Sequence, residues 1–559
     1  MRQGIAGPEA RERTHRLRQQ AARLADAGRL AMCGLLRPLA DLGRFSGAPR
    51  RPRLVIVQVD GVSRRRLESA MADGWMPALA SRLASGRHVL ATARSGAPAS
   101  TPAFQAGLFY GVSPSVPGFV WFDRTTRREV RMDRSDDAAR VERRLARAAP
   151  GLLRGGTSYF SIFSGGAALP HFCLSGLTGV LDLDWYVEHL GAWDAVASAL
   201  AHSVTASRGA LRLAREVCTG LVDGLRWSVA LGRLKHEPRF LAHRVLIGAL
   251  LRELAVQGIL VDLSRGIPVV FVDFLGYDEA AHRRGPDSET ATRNLGAIDE
   301  ALAVLFAAVD SVPELGYEVH VLSDHGHVRT LPFESLAGAP LPEFVLRAER
   351  GEPLPQGPPA RGATTLRSRG KADAARVDGV AVAEAGDLAH VYFLDERGPL
   401  PLDALRARHG RVLAALSANR AVGLLAARGG RRGFALVRGE ALDLGDPDAV
   451  ARLPHPDPEI LATYLADLVA LPDSGDLVVQ GWRGEGRDIV AYAWEFGSHG
   501  GVAPEELECF VAHPVHREYP CAGALRPSGL HAWFEAIRAG GDAPEVARGG
   551  ARARGAPAP

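Results

Sequence analysis

The chain has 559 residues, of which 47% are hydrophobic and 23% charged, and its formal net charge is +4. This is the composition of an ordinary globular protein and excludes a wholly disordered or fibrous chain. Because 67 basic residues are balanced by 63 acidic ones, the positive excess is too small to indicate a nucleic-acid-binding protein. Lysine occurs only at Lys235 and Lys371, so the basic residues are almost all arginine, as is typical of a GC-rich bacterial genome.

The cysteines and the apolar runs narrow the cellular setting. Five cysteines, an odd number with no C-x-x-C pair, do not predict a disulfide framework or a cysteine-ligated zinc site. No apolar run reaches bilayer length, and Leu30–Leu36 is too short for a signal-peptide core. The sequence therefore predicts a cytoplasmic protein and does not indicate its oligomeric state.

Residues 1–50 form a basic arm with ten arginines and a weak helical pattern. A solvated helical or disordered arm is the more common outcome of such a composition. The alternative is that its basic face contacts an anionic membrane surface, which leaves peripheral membrane attachment open.

The first strand signal follows this arm directly. Leu54–Val59 is a continuous apolar run of strand length that ends on Asp60. Two later runs, at 267–272 and 317–322, have the same form and end on Asp273 and on Ser323-Asp324. Helical periods lie between them, so the chain predicts a doubly wound α/β fold with a mostly parallel sheet. In such folds ligands bind at the carboxyl ends of the strands.

The remaining patterns divide the chain into regions. We predict an α/β catalytic core at 51–340 with a helical insertion at about 150–265, and a linker plus α+β insertion at 341–485. The chain then returns to the core at 486–540, and 541–559 form a disordered tail. Within the insertion and the return, we predict strands at 389–394, 476–481 and 489–494 and one helix at about 402–416.

Chemistry-bearing residues occur in short clusters near these predicted strand ends. Each cluster alone also has a structural interpretation, since Asp caps helices and Thr before Pro begins them. Together they supply several Asp and His side chains, which suit a divalent metal such as zinc. The spacing of Asp278 and His282 places both on one helical face, and Gly326 permits an irregular turn at Asp324-His325. The candidate site residues are Asp60, Ser100, Thr101, Asp278, His282, Asp324, His325 and His499.

In this order the clusters resemble the alkaline phosphatase superfamily, and within it the type I phosphodiesterase/nucleotide pyrophosphatase family. That family has Asp-Gly after its first strand, a Thr nucleophile, Asp-x-x-x-His with Gly-Pro, Ser-Asp-His-Gly and Gly-Ser-His-Gly. The matching segments here are Asp60-Gly61, Thr101, Asp278 to Pro286, Ser323 to Gly326, and Gly497 to Gly500. The resemblance covers about residues 53–335 and 490–515, and it implies an alkaline phosphatase-like fold.

The nucleophile is Thr101 or Ser100. In the family it is usually followed by x-Pro, which would select Ser100. Counting ten, thirteen and seventeen residues from Thr101 instead reaches Gly111, Pro114 and Gly118, as in the family. Thr101 also suits a helix cap, with Pro102 at the first helical position. We therefore predict Thr101 and keep Ser100 in reserve.

The resemblance implies two zinc ions. Asp278, His282 and His499 would hold one, and Asp60, Asp324 and His325 would hold the other, with the Thr101 hydroxyl as its attacking ligand. The implied reaction is attack of Thr101 on phosphorus and hydrolysis of the resulting phosphothreonine. The expected function is thus a metal-dependent phosphodiesterase acting on a small-molecule or lipid-like phosphoester.

Some residues depart from the family or lie outside its pattern. Where nucleotide pyrophosphatases carry an Asn that contacts the phosphate, this chain has Phe122, and Pro117 replaces a family His. Phe122 and Trp121 either line an apolar pocket or are ordinary core aromatics. His327 fits no ligand pattern, and Asp273 is a rival ligand whose spacing fits less well.

Other functions remain open. Within the superfamily these are a phosphomonoesterase, a phosphonate hydrolase and, less favoured because its Cys/Ser-x-Pro-x-Arg signature is absent, a sulfatase. From another class, the chain could be an inactive metal-binding protein that interacts at a membrane surface. Manganese or iron would accept the same ligands as zinc.

Overall fold

The structure is a computed structural model that describes residues 51–112, 115–176, 251–355, 357, 379–396, 398–493, 495–520 and 524–541, with the backbone of 372–377. The basic arm at 1–50, much of the predicted helical insertion and all but the first residue of the predicted tail lie outside the described residues. Among the described residues, no helix has the length and apolar character needed to span a bilayer.

The elements are numbered along the chain. The strands are β1 (Arg53–Val59), β2 (His88–Arg94), β3 (Val120–Asp123), β4 (Arg128–Arg131), β5 (Thr157–Tyr159), β6 (Leu169–His171), β7 (Val269–Phe274), β8 (Tyr317–Leu322), β9 (Val328–Pro332), β10 (Ala372–Val377), β11 (Val380–Ala385), β12 (Leu388–Phe393), β13 (Leu424–Ala427), β14 (Phe434–Val437), β15 (Glu440–Asp443), β16 (Leu477–Gln480), β17 (Ile489–Ala491), β18 (Gly497–Ser498) and β19 (Glu508–Pro514). The α-helices are α1 (Arg64–Ala72), α2 (Pro77–Ala84), α3 (Thr101–Tyr110), α4 (Ser135–Ala148), α5 (Arg252–Ser264), α6 (Gly276–Arg284), α7 (Glu289–Ser311), α8 (Phe333–Ala337), α9 (Leu341–Arg350), α10 (Leu402–Arg408), α11 (Gly410–Ala418), α12 (Pro447–Val450), α13 (Pro458–Ala470), α14 (Pro504–Leu507) and α15 (Pro527–Ala539).

Seven strands form the core sheet, in the order β2-β19-β8-β1-β7-β5-β6. Strand β1 pairs in parallel with β7 on one side and β8 on the other, and β5 pairs in parallel with β7 and β6. Only β19 runs against its neighbours, β2 and β8. The prediction of an α/β fold with a mostly parallel sheet is therefore confirmed.

Both faces of the core sheet are covered, which explains why its strands read as continuous apolar runs. Leu54 and Ile56 of β1 pack into one hydrophobic core together with residues of α3, α4 and α15. The alternate residues Val55 and Val57 pack into the other core, against α1, α5 and α7. Because side chains alternate across a strand, one short run serves two cores.

A second sheet of seven antiparallel strands follows in the chain, in the order β10-β11-β12-β16-β13-β14-β15. Helices α9, α10 and α11 pack on one of its faces and α13 on the other. A small third sheet consists of β17, β9 and β18. In sequence β9 precedes the second sheet and β17 and β18 follow it, and β18 pairs with β9. That pairing brings the chain after Ser498 beside the chain before Val328.

Three details differ from the predictions. The predicted helix at 402–416 is divided into α10 and α11 at His409, whose φ of −125° is not helical. The His409 ring stacks on Phe393, with centroids 3.5 Å apart, and Gly410, a weak helix former, follows it. The strand predicted at 489–494 ends at Ala491. Asp273 lies inside β7 rather than at its end.

Candidate metal centre

The first two candidate residues lie at the carboxyl ends of paired strands. Asp60 follows β1 and Asp324 follows β8, and because these strands are parallel neighbours, both side chains reach the same edge of the core sheet. Gly61 turns the chain there with a φ of +75°, which favours glycine. Its N–H donates to Asp324 Oδ1 over 3.1 Å and so joins the two strand ends.

Helix α6, which begins just after β7, carries the next pair. Asp278 and His282 are four residues apart, and His282 Nε2 lies 3.4 Å from Asp278 Oδ1. Both side chains are buried, as the predicted common helical face requires. The backbone of β18 lies directly against this helix, since a Cβ on Gly497 would be 2.5 Å from the Ala281 carbonyl oxygen.

His325 extends the cluster from the chain after β8. Its Nε2 lies 3.3 Å from Asp324 Oδ2 and 3.5 Å from Asp60 Oδ1. The neighbouring Gly326 is required for a different reason than predicted. Its φ is not in the left-handed region, but a Cβ there would be 2.0 Å from the Glu505 carbonyl oxygen.

His499 arrives from the opposite end of the sequence, in the loop after β18. Its ring stacks on His325 with centroids 3.8 Å apart, and its Nε2 lies 3.8 Å from Asp278 Oδ1. The pairing of β18 with β9 holds this loop beside the chain that follows His325.

The three predicted histidines share one orientation. In each, Nδ1 lies within hydrogen-bond distance of a backbone carbonyl oxygen: Gly497 for His282 (3.1 Å), Gly326 for His325 (3.2 Å) and Ala99 for His499 (2.9 Å). If Nδ1 carries the proton, Nε2 keeps a free lone pair directed at the carboxylates. Metal-bound histidines are oriented in this way.

The donor atoms converge in two groups. Asp278, His282, His327 and His499 form one, and Asp60, Asp278 and His325 form the other, with all donor atoms of a group within 4.8 Å of one another. Asp278 thus contributes to both groups, whereas the resemblance assigned it to one ion only. Asp324 adjoins the second group through His325, and its Oδ2 is buried without a hydrogen-bond partner.

His327 belongs to the cluster although its sequence pattern did not indicate it. Its Nε2 lies 2.6 Å from Asp278 Oδ1, and its ring is fully buried. Its Nδ1 has no hydrogen-bond partner, so unlike the other histidines it is not oriented by a backbone carbonyl. The signal that could have found it is the extended spacing His325-x-His327, which places alternate side chains on one side of the chain.

Burial sets the protonation of the cluster. It lowers the pKa of His325 and of His327 to about 3 and that of His499 well below its usual value. These imidazoles are therefore neutral near pH 7, which is the form that binds metals. Burial also raises the pKa of Asp324, because it disfavours the charged carboxylate, and the nearby Asp278 carboxylate adds to this effect. Divalent cations would compensate that charge, so the donor set fits a metal centre.

Thr101 lies at the edge of this cluster and Ser100 does not contact it. Thr101 Oγ1 is 3.3 Å from Asp60 Oδ1 and 3.2 Å from His325 Nε2. Ser100 Oγ is buried without a hydrogen-bond partner. The predicted cap is wrong by one residue: Ser100, with an extended φ of −148°, is the N-cap of α3, and Thr101 is its first helical residue.

A carboxylate that sequence reasoning missed lies behind His282. Glu495 Oε2 is 3.1 Å from His282 Nδ1, beside the hydrogen bond from Nδ1 to Gly497. Glu495 is buried with 3% of its surface exposed. It precedes the Gly-Ser-His-Gly segment by two residues, and no motif in the sequence marks it.

Three other candidate residues of the sequence, Trp121, Phe122 and Asp273, lie outside the cluster. Trp121 and Phe122 are core aromatics, 1% and 4% exposed, and Phe122 packs against Tyr392 with ring centroids 6.1 Å apart. Asp273, the rival ligand, accepts hydrogen bonds from Gln58 and Gln105 and joins neither donor group of the described residues. Trp121 and Phe122 are thus members of a hydrophobic core, as the second interpretation predicts.

One segment of the chain matches a known protein family. Residues 221–374 match the family model of type I phosphodiesterase / nucleotide pyrophosphatase. The resemblance to this family is confirmed. The matched segment contains Asp278, His282, Asp324 and His325, while Asp60, Thr101 and His499 come to the same cluster from outside it. With its metal-type donor set, the protein is a metal-dependent phosphoester hydrolase.

The chain was also compared with curated proteins and with solved structures. No curated protein matches the chain. Among solved structures, the chain is similar to phosphonoacetate hydrolase from Sinorhizobium meliloti 1021 in complex with phosphonoacetate, with a TM-score of 0.44 and 18% identity over 88% of this chain and 95% of that chain.

Proposed function

We propose that the protein is a phosphodiesterase in which Thr101 is the nucleophile and two zinc ions are bound by the Asp and His side chains of the cluster. The observation that carries this proposal is the position of the Thr101 hydroxyl. It lies at the N-terminus of α3 and within 3.3 Å of both Asp60 and His325.

The ligand assignment follows the family resemblance, and the two donor groups support most of it. Asp278, His282 and His499 would hold one ion, and Asp60, Asp324 and His325 the other, with His327 oriented on Asp278. The bound ions would stabilise the attacking and leaving oxygens of an in-line displacement.

The chain's own residues account for the remaining steps. The Thr101 hydroxyl proton must leave before Oγ1 attacks phosphorus, and Asp60 Oδ1, 3.3 Å from Oγ1, is in reach to accept it. His325 Nε2, 3.2 Å from Oγ1, would hold the ion beside the attacking oxygen. The first N–H groups of a helix have no partner within it, so those of Thr101 and Ala103 in α3 can hold the non-bridging oxygens of the phosphoryl group. Pro102 between them has no N–H. As Oγ1 bonds to phosphorus, the bond from phosphorus to one ester oxygen breaks and that group leaves as an alcohol. Water then hydrolyses the resulting phosphothreonine, which releases the phosphomonoester and restores the Thr101 hydroxyl.

The preference for a diester rests on the family, and the substrate is a small phosphodiester. The position that would carry the phosphate-contacting Asn is Phe122, which is buried against Tyr392. It cannot replace that contact, so we propose that nucleotides are not the favoured substrates.

The test compares wild type with Thr101→Ala and Ser100→Ala. We expect about two zinc ions per chain by elemental analysis. Wild type and Ser100→Ala should hydrolyse bis-p-nitrophenyl phosphate, whereas Thr101→Ala should lose about 10³-fold or more of the rate. Loss of activity in Ser100→Ala alone would exchange the roles of the two residues.

The substrate panel separates the alternatives. Faster hydrolysis of p-nitrophenyl phosphate than of the diester would favour a phosphomonoesterase, and turnover of phosphonoacetate alone a phosphonate hydrolase. Zinc binding without turnover of any of these esters would favour the inactive metal-binding protein. Absence of bound metal would refute the proposed centre.

A further inference from the structure

A buried tyrosine from the second sheet region reaches the proposed metal centre. Tyr464 lies on α13, whose residues Leu461, Leu465 and Leu468 pack on the second sheet. Its side chain is only 4% exposed. No motif of the sequence indicates it, and it contributes no donor to either group of the cluster.

The Tyr464 hydroxyl makes two hydrogen bonds, one to each side of the centre. It donates to the Gly500 carbonyl oxygen over 2.7 Å and accepts from the Ala99 N–H over 3.1 Å. Gly500 is the neighbour of His499, and Ala99 lies two residues before Thr101. A hydroxyl can donate and accept at once, so it matches this pair of backbone groups.

A third hydrogen bond closes the connection. His499 Nδ1 lies 2.9 Å from the Ala99 carbonyl oxygen, the same contact that orients the His499 ring. Both backbone polar groups of Ala99 are thus held, the N–H by Tyr464 and the carbonyl by His499. The nucleophile and a ligand almost 400 residues apart in sequence are linked through one phenol.

The second sheet also touches the same loop directly. Gly386, at the turn between β11 and β12, has a φ of +68°, and a Cβ there would lie 2.2 Å from the His499 carbonyl oxygen. The loop that carries His499 is therefore confined by the second sheet as well as by Tyr464.

We propose that Tyr464 is a positioning residue that holds the start of helix α3 and the His499 loop in register. The proposal rests on the proposed function, since zinc affinity and turnover are both read at that centre, but zinc affinity can be measured without turnover. Burial raises the pKa of the Tyr464 phenol well above its usual value, so the hydroxyl keeps its proton near neutral pH and can donate to Gly500.

The test is Tyr464→Phe, which removes one oxygen and keeps the ring in its core. The matched control is Tyr392→Phe. Tyr392 is also fully buried in the second sheet, and its hydroxyl likewise donates to a backbone carbonyl oxygen, that of Asp473, over 3.0 Å. Tyr464→Phe removes the hydrogen bonds to Gly500 and from Ala99, and Tyr392→Phe removes the one to Asp473. Thermal unfolding should therefore show destabilisation in both variants, larger in Tyr464→Phe.

The two variants should separate in function. Zinc affinity, titrated with a competing chelator, should fall about tenfold in Tyr464→Phe and stay at the wild-type value in Tyr392→Phe. The turnover number should also fall about tenfold in Tyr464→Phe with little change in KM, since the oriented groups act on the bound substrate.

Equal zinc affinity and equal turnover in the two variants would overturn the positioning role while leaving the phosphodiesterase proposal intact. If wild type binds zinc and hydrolyses no ester, the phosphodiesterase proposal fails. The zinc affinities of the two variants then still decide the role of Tyr464.

Discussion

Two groups of buried histidines in the described residues can be compared. One is the metal-centre group of His282, His325 and His499. The other, called here the sheet histidines, consists of His88 on β2, His320 on β8 and His513 on β19. Burial lowers the pKa of His88 and His513 to about 4 and that of His325 to about 3. By burial and protonation alone the two groups resemble each other.

Their partners differ. The metal-centre histidines direct Nε2 at a shared carboxylate, Asp278 or Asp60. Among the sheet histidines, His88 Nε2 lies 2.8 Å from the Val319 carbonyl oxygen, and His513 stacks on Tyr519. The difference teaches that a buried histidine of low pKa is not by itself a sign of a metal site. A metal site is indicated instead by histidine lone pairs and carboxylates that converge on one point.

The surroundings of His320 make the same point. Its ring packs edge-on against Trp533 and Phe534. The nearest carboxylate, Glu318 at 3.6 Å, is already held by two hydrogen bonds from Arg517. This histidine is a buried structural residue.

The largest expected effect tests the shared carboxylate. Because Asp278 belongs to both donor groups, Asp278→Asn should weaken zinc binding by more than about 100-fold and lower diesterase activity about 10³-fold. Elemental analysis after dialysis and hydrolysis of bis-p-nitrophenyl phosphate measure these effects.

The control for Asp278→Asn is His320→Gln. It should change the free energy of unfolding by about 1–3 kcal/mol and leave zinc content unchanged. If His320→Gln lost zinc as Asp278→Asn does, the distinction between the two histidine groups would be wrong.

Removal of zinc should lower the stability of wild type, and this effect should require an intact metal centre. With free zinc at about 1,000 times its dissociation constant, binding should stabilise the folded state by about 4 kcal/mol. Thermal unfolding of wild type should therefore shift upward on adding zinc, and that of Asp278→Asn should not. A similar shift in both would place the bound zinc elsewhere.

A smaller effect is expected behind the centre, at Glu495. Its carboxylate lies 3.1 Å from His282 Nδ1, where a negative charge favours the ring orientation that binds metal. Glu495→Gln keeps the size and shape of the side chain but removes its charge, so zinc affinity should fall about tenfold. A chelator titration of wild type and variant checks this, and an unchanged affinity would leave the Gly497 carbonyl as sufficient support for His282.

The smallest expected effect concerns pH and the sheet histidines. His88 has a folded pKa near 4 against an ordinary value of 6.5, so the unfolded chain takes up the proton first. Its contribution to stability is therefore fully present above pH 6.5 and is lost as the pH falls toward 4. In metal-free buffer, the stability of His88→Gln should depend less on pH across this window than that of wild type. Parallel pH profiles by denaturant unfolding would contradict this.

Most of the candidate centre could be predicted because most of its candidate ligands lie in short local patterns. Asp60 and Asp324 follow apolar strands, and Asp278 and His282 are separated by one helical turn. Such patterns reflect local geometry, which the order of residues determines. His327 and Glu495 lacked a pattern of this kind, and only their distances to Asp278 and His282 reveal them.

The sequence by itself determined the α/β class of the fold, the resemblance to the family, and the residue types that meet at the strand ends. Only the tertiary structure decided that Asp278 is shared, that Thr101 rather than Ser100 contacts the cluster, and that Trp121 and Phe122 are core. It alone links Tyr464 to both sides of the centre. The physical reason is that periodicity and strand ends are local properties of the chain, whereas donor convergence depends on contacts between segments hundreds of residues apart.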